Sequence, residues 1–255
     1  VPRRRLAILL AEDNPVNVKV ASRLLERWGH EVVVANDGPA ALARVAERTF
    51  DLALLDVQMP GMTGLEVAER IRARERESGR PPLPLVALTA HALGTDRERC
   101  FAAGMTGYLT KPIDSDLLFE TLERRDAIGA APAPGTPAPV AGDQPFDAVL
   151  ALERAGGDPA FLRELCQLVL NDLETVPPDL RAAVQAGDAP AAESIAHQLK
   201  GSFASFAAEP GRAAAARLEE AAHDGDLEAM AEQLARLEVE LARLSEALGA
   251  QLTSG

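Results

Sequence analysis

Asp56 closes the apolar run Leu52-Ala53-Leu54-Leu55, and four other residues fall where strand ends could converge on it. They are the adjacent acids Glu12 and Asp13, then Thr89, then Lys111. Carboxylates held close repel one another and raise their own pKa values unless a cation joins them. Mg2+ meets that demand, since it prefers oxygen ligands and is usually held by one or two carboxylates with water and phosphate. In such a cluster Asp13 and Asp56 bind the metal directly and Glu12 acts through a water. Asp56 is then the nucleophile, forming an acyl phosphate. The metal and Lys111 neutralise charge on the transferring group, while the Thr89 hydroxyl hydrogen-bonds one of its oxygens. Taken singly, Glu12-Asp13 is a polar strand end, Thr89 a helix N-cap and Lys111-Pro112 a loop. Their joint occurrence, in order and each at a strand end, favours the chemical reading.

A second acceptor lies far along the chain. His197 sits in a helical pattern with Lys200 and Gly201. On an ideal helix Ile195, Leu199, Phe203 and Phe206 share the core face, which puts His197 roughly opposite Ile195. Lys200 and Gly201 follow one turn later on the same outward strip. An imidazole beside an ammonium can hold a phosphoryl group. Gly201 costs the helix about 1 kcal/mol relative to Ala, and its lack of a side chain would let another protein's active site approach. A surface histidine beside a chance glycine is the plain alternative. The chain has only three Lys among 26 cationic residues, and Lys111 and Lys200 are two of them. Where Arg is the default cation, a Lys points to a need for a compact ammonium.

The elements that must position these residues differ between the two halves. The first alternates strand and helix: strands at 6–11, 31–35, 51–57, 83–89 and 107–110, each followed by a helix. The helices begin at Asn14-Pro15, at Gly38, near Gly64, after Thr89 (ending at Gly104) and at Asp114. That pattern implies a buried parallel sheet with helices on both faces. Its ligand crevice lies at the carboxyl ends of the strands, at the switch point, where all five acceptor-site residues fall. Residues 126–145 are rich in Pro, Ala and Gly and read as a semi-extended linker of about 3 Å per residue. From 146 onward there is no strand-like alternation. Helical patterns over 146–155, 159–174, 178–186, 189–206, 212–223 and 227–248 predict an up-and-down helical bundle.

At 255 residues the chain accommodates two ordinary domains. The net charge of −13 comes from the second half, because acids and bases balance over residues 1–125. An acidic second half repels nucleic acid, so DNA binding is not expected. Cys100 and Cys166 are isolated and read as reduced thiols, as in a cytosolic protein, and no zinc site is expected. No apolar run approaches the roughly 20 residues of a membrane span, so this segment is expected to be cytoplasmic and free of membrane contact, even if a parent protein is membrane-anchored. The chain starts Val1-Pro2-Arg3, which suggests a segment of a longer protein.

Residues 6–125 resemble the receiver domain of a two-component response regulator. The match rests on Glu12-Asp13, the run Asp56-Val57-Gln58-Met59-Pro60-Gly61-Met62-Thr63-Gly64, the Thr89-Ala90 pair and Lys111-Pro112. The resemblance implies a flavodoxin-like, doubly wound five-stranded sheet, with the backbone carbonyl of Gln58 as a further metal ligand. It also implies a switch in which Thr89 moves toward the phosphate and the ring of Tyr108 turns inward. From the residues alone, Tyr108 reads equally as a half-buried strand residue. His91 reads as a solvated helix start.

Residues 146–249 resemble a histidine-containing phosphotransfer domain through Ala196-His197-Gln198-Leu199-Lys200-Gly201-Ser202. Many members continue with a second small polar residue and later a Gly-Ala pair, where this chain has Phe203 and Ala207-Ala208. That departure concerns packing and docking more than phosphate chemistry. His30 and His223 lie in turn-like contexts and carry no assigned role.

Together these readings imply a phosphorelay: an upstream histidine kinase core passes phosphate to Asp56, His197 takes it, and a separate response regulator receives it. The chemistry is reversible. Neither a second histidine in a dimerising helix nor a Gly-rich nucleotide motif is present, so a kinase core is not expected here. The chain resembles the C-terminal part of a hybrid sensor histidine kinase. Arg3-Arg4-Arg5 would then end a linker from that core, or be a solvated charge run. Two other classes of function stand beside this one. A haloacid-dehalogenase-type phosphatase wants a second acid two positions after the nucleophile, where this chain has Gln58. A docking or regulatory module of a histidine kinase with inert sites is the other.

Overall fold

The computed structural model describes residues 4–90, 94–123 and 144–253. Arg3, His91 and all but the last two residues of the expected 126–145 linker lie outside the described residues. The described residues form two compact units, one on each side of Pro137. Among them, no helix is long and apolar enough to cross a membrane.

The first unit runs β1 (Ala7–Ala11), α1 (Pro15–Arg27), β2 (Glu31–Ala35), α2 (Gly38–Glu47), β3 (Leu52–Asp56), α3 (Gly64–Ser78), β4 (Leu85–Thr89), α4 (Gly94–Ala102), β5 (Gly107–Thr110) and α5 (Ser115–Glu123). The strands form one parallel sheet in the order β2-β1-β3-β4-β5, the doubly wound arrangement expected. β3 and β4 are buried along their whole length, which is why they read as apolar runs rather than alternating ones. Leu9, Ala53, Leu55 and Ala87 pack on one face against Ala41 of α2, Val67, Ala68 and Ile71 of α3 and Cys100 of α4.

Local chemistry sets the helix starts. Asn14 caps α1 by accepting from the backbone N–H groups of Val16 and Asn17, at 2.9 and 3.1 Å. Thr63 and Glu66 form a reciprocal capping box at the start of α3. Arg72 of α3 donates to the carbonyls of Gly104 and Leu83, each at 2.8 Å, and so ties α3 to the chain before β4 and β5.

The second unit holds α6 (Ala148–Arg154), α7 (Pro159–Ala186), α8 (Ala189–Ser205), α9 (Glu209–His223) and α10 (Leu227–Thr253). α7, α8, α9 and α10 pack each on the next, and α10 closes back on α7. Short connections make the neighbours antiparallel, so an up-and-down bundle forms.

Two expectations are corrected here. The helices expected at 159–174 and 178–186 are one helix, α7, with Pro177 and Pro178 inside it. Each interior proline removes a hydrogen bond and costs about 3 kcal/mol. However, Leu162, Cys166, Val169, Pro177 and Leu180 make one buried stripe at helical spacing, and that packing carries the helix through. The second concerns α8, whose core face is turned from the expected one. Ala192, Ala196, Leu199 and Phe203 are buried, whereas Ile195 is only half-buried. The small alanines allow α9 to approach closely through Gly211, Ala214, Ala215 and Leu218.

At the α8–α9 turn Ala207 is buried with φ of 58°, a left-handed conformation that suits glycine better. The departure from the usual Gly-Ala pair is therefore a matter of backbone strain. His30, in the α1–β2 turn, is buried and its Nδ1 accepts from the Leu6 N–H at 3.2 Å. His223 ends α9 and pairs with Glu193 at 3.0 Å.

Candidate functional site

Strand register assembles the first site. Ala11 lies opposite Leu55, so Glu12 emerges level with Asp56 at the switch point between β1 and β3. Thr89 lies opposite Thr110, which puts Lys111 one step beyond the end of β5. The Lys111-Pro112 peptide is cis. The Lys111 ammonium reaches back across the strand ends to Asp56 Oδ2 at 2.7 Å and to Glu12 Oε1 at 3.0 Å.

Glu12, Asp13 and Asp56 each present a carboxylate oxygen, all within 4.8 Å of one another. Glu12 and Asp56 are buried and Asp13 is half-buried. Glu12 Oε1 also accepts from the Asn17 amide at 2.9 Å. Its other oxygen, Oε2, lies 2.7 Å from the Lys111 nitrogen without hydrogen-bond geometry, so it is a buried acceptor with unused capacity. Three carboxylates against one ammonium, with such an oxygen among them, is a donor set that suits a hard divalent cation.

The electrostatics agree. Burial pushes the Asp56 carboxyl up to about 7; Lys111 works against this, and Glu12 and Asp13 add to it. Burial disfavours the Lys111 ammonium, yet Glu12 and Asp56 outweigh it and hold its pKa above the ordinary value. Asp56 Oδ1 accepts from the Gln58 N–H at 3.2 Å, which sets the loop carrying Gln58 against the Asp56 carboxylate. Thr89, the last residue of β4, and Tyr108, which lies opposite Ala87 on the adjacent strand β5, are both buried, at 7% and 9% exposure.

These residues match known proteins. Residues 8–123 match the family described as response regulator receiver domain, and residues 164–247 match the Hpt domain. The chain is a receiver domain followed by an Hpt domain. It is 34% identical over 199 residues to the sensor histidine kinase GacS of Pseudomonas protegens, covering 76% of this chain and 22% of that protein. Over 208 residues it is 35% identical to the virulence sensor protein BvgS of Bordetella pertussis, covering 78% of this chain and 17% of that one. The chain thus spans less than a quarter of the length of these relatives. Among solved structures it is similar to the receiver domain of sensor histidine kinase PA1611 from Pseudomonas aeruginosa. That likeness has 38% identity and a TM-score of 0.44, covering 50% of this chain and 100% of that one.

In the Hpt domain, α8 carries His197, Lys200 and Gly201. The expectation of a fully outward strip is corrected. The His197 and Lys200 side chains are only 15% and 10% exposed, because the turned core face brings them to the α8–α9 seam. Glu219 of α9 meets both. His197 Nδ1 lies 2.7 Å from Glu219 Oε1, and Lys200 Nζ bonds the other carboxylate oxygen.

Burial pushes the Glu219 carboxyl upward, but hydrogen bonds from His197 and Lys200 outweigh it and hold the group below the usual range. An ionised carboxylate can only accept, so Nδ1 carries the proton and a neutral ring has its lone pair at Nε2. A carboxylate, a histidine and a lysine are thus grouped at the seam.

Asn17 and Glu219 were missed by sequence reasoning. Asn17 had a faint signal, a polar residue on the apolar side of α1 one turn after its cap. Glu219 had none, being 22 residues from His197 and on another helix.

Proposed function

We propose that the chain relays phosphoryl groups between proteins through Asp56 and His197, as the C-terminal part of a hybrid sensor histidine kinase. Residues 1–125 form the receiver module, 126–145 the linker and 146–255 the phosphotransfer bundle. The observation that carries this reading is the Glu12–Asp13–Asp56 cluster bridged by the Lys111 ammonium.

In the first step an Asp56 oxygen attacks the phosphorus of a phosphohistidine on an upstream kinase core. A P–O bond forms, the P–N bond breaks, and the imidazole leaves. Asp13, Asp56 and the Gln58 carbonyl would hold Mg2+, with Glu12 acting through a water. When bound, Mg2+ neutralises charge on the phosphoryl oxygens. The Lys111 ammonium would neutralise the same charge, and the Thr89 hydroxyl would donate to one oxygen as the Thr89–Tyr108 switch responds.

In the second step the Nε2 lone pair of His197 attacks the aspartyl phosphate, and the Asp56 carboxylate leaves. Glu219 keeps the proton on Nδ1, Lys200 pairs with the phosphoryl oxygens, and Gly201 leaves room for the incoming receiver. The phosphoryl group then passes to the aspartate of a separate response regulator. The linker keeps the two modules at high mutual concentration.

Acetyl phosphate with Mg2+ tests this directly. Label is expected first at Asp56 and then at His197. Asp56→Ala is expected to abolish both, and His197→Gln only the second. Label arriving at His197 in Asp56→Ala would overturn the order. No label at all would favour an inert docking module.

Mg2+ is further expected to stabilise the receiver by about 2.7 kcal/mol at a hundred times its dissociation constant, and so to raise its melting temperature. With Asp56 pushed up to about 7, binding at lower pH must displace a proton. Apparent affinity therefore falls below about pH 7 and levels off above it. Metal-free stability runs the other way. The folded state holds the Asp56 proton more tightly than the unfolded chain, so stability declines as pH rises from 3.8 to about 7. Melts on both sides of that pH, with and without Mg2+, check the two signs. A melting temperature indifferent to Mg2+ throughout would remove the metal from the mechanism.

A further inference from the structure

Tyr108 is only 9% exposed, so its ring lies inward. The guanidinium carbon of Arg97, an exposed residue of α4, stands 5.9 Å from the Tyr108 ring centroid and 5.6 Å from that of Phe101. Arg97 and Phe101 are four residues apart on one helix and so share a face. That spacing holds the guanidinium over the Phe101 ring and aims it across to β5.

We propose that Arg97 is a positioning residue for the switch: its cation clamps the Tyr108 ring inward and so biases the receiver toward its phosphoryl-binding form. This rests on the reading of Thr89 and Tyr108 as the switch pair. An aromatic face attracts a cation through its quadrupole, so Tyr108 cannot swing out without giving up that attraction or displacing the guanidinium. Two rings sharing one cation make displacement harder than a single contact would. A ligand that binds only the inward form is helped in proportion to how populated that form already is. The clamp therefore raises apparent affinity for the phosphoryl group without touching it.

The chain contains a single tyrosine, so labelling with 3-fluorotyrosine gives one 19F resonance that reports on Tyr108 alone. The full chain, Arg97→Ala, Arg97→Met and Arg97→Lys are compared without ligand and during titration with beryllofluoride and Mg2+. Arg97→Ala and Arg97→Met are expected to shift or broaden the ligand-free resonance, and saturating beryllofluoride to return it to the wild-type position. Their titration midpoints should rise about two- to fivefold, while Arg97→Lys stays near wild type. Arg97→Met keeps an unbranched apolar stem without the charge, so wild-type behaviour there would show that packing, not the cation, matters and would overturn the clamp. Superimposable resonances and equal midpoints in Arg97→Ala would overturn it too. The ligand-free comparison does not depend on Asp56 accepting phosphate. Failure of the relay reading is seen separately, as absence of label at Asp56.

Discussion

Gly64→Ala is expected to destabilise the receiver by about 3 kcal/mol or more and to cripple phosphoryl acceptance. Gly64 opens α3, and its N–H donates to the Val57 carbonyl at 3.1 Å as the loop after β3 folds back on the strand. A Cβ built at this position would stand 2.1 Å from the Asp56 carbonyl oxygen and 2.9 Å from its carbon. Both are backbone atoms, so no rotamer relieves the clash and the loop itself must move. That loop follows directly on Asp56, the proposed phosphoryl acceptor at the end of β3, and carries Gln58, whose N–H bonds Asp56 Oδ1. A displacement of about 1 Å is enough to cost on the order of a hundredfold in rate. Chemical denaturation and acetyl phosphate labelling of the same sample separate the two effects. An alanine variant with wild-type stability and wild-type labelling would show that the loop accommodates a side chain, contrary to its geometry.

Glu219→Ala carries the second large effect, on the Hpt domain. The variant leaves the Lys200 ammonium, 10% exposed, facing an empty place, and frees the His197 ring to rotate or change tautomer. Stranding a buried charge in this way costs about 3 kcal/mol. Losing the group that keeps the proton on Nδ1 is expected to slow transfer to His197 on the order of ten- to a hundredfold. Label at Asp56 should be unaffected, because Glu219 lies in the other unit. Glu219→Gln can still accept from Nδ1 and should recover much of the rate while losing the attraction for Lys200. A pulse of label followed over time at both acceptors, alongside a denaturant melt, tests this. Equal transfer rates in Glu219→Ala and the wild type would leave Glu219 a structural residue only.

The receiver half was legible because its physics is local and repetitive. A strand buried on both faces must be apolar throughout, so Leu52–Asp56 and Leu85–Thr89 stand out, and the polar residue that ends each run marks the crevice. A parallel sheet with right-handed crossovers then leaves one edge to which all the strand ends point. That is why Glu12, Asp13, Asp56, Thr89 and Lys111 could be grouped before any distance was known. The bundle was legible in its helices but less so in its faces. Apolar periodicity predicts a core face from large side chains, and it named Ile195 where the packing chose Ala192 and Ala196.

The sequence by itself therefore determined the order of elements, the receiver's strand-end cluster and the two residues proposed as acceptors, since each depends on residue type and short-range spacing. Only the tertiary structure decided which oxygen of Glu12 is left unused, that His197 and Lys200 turn into a seam, that Glu219 meets them there, and that the Arg97 guanidinium stands over the Tyr108 ring. The reason is physical. Contacts between elements depend on how closely two backbones approach, and at the α8–α9 seam small residues on both helices set that distance. Their partners lie on other elements or across a turn, beyond the reach of any periodic pattern.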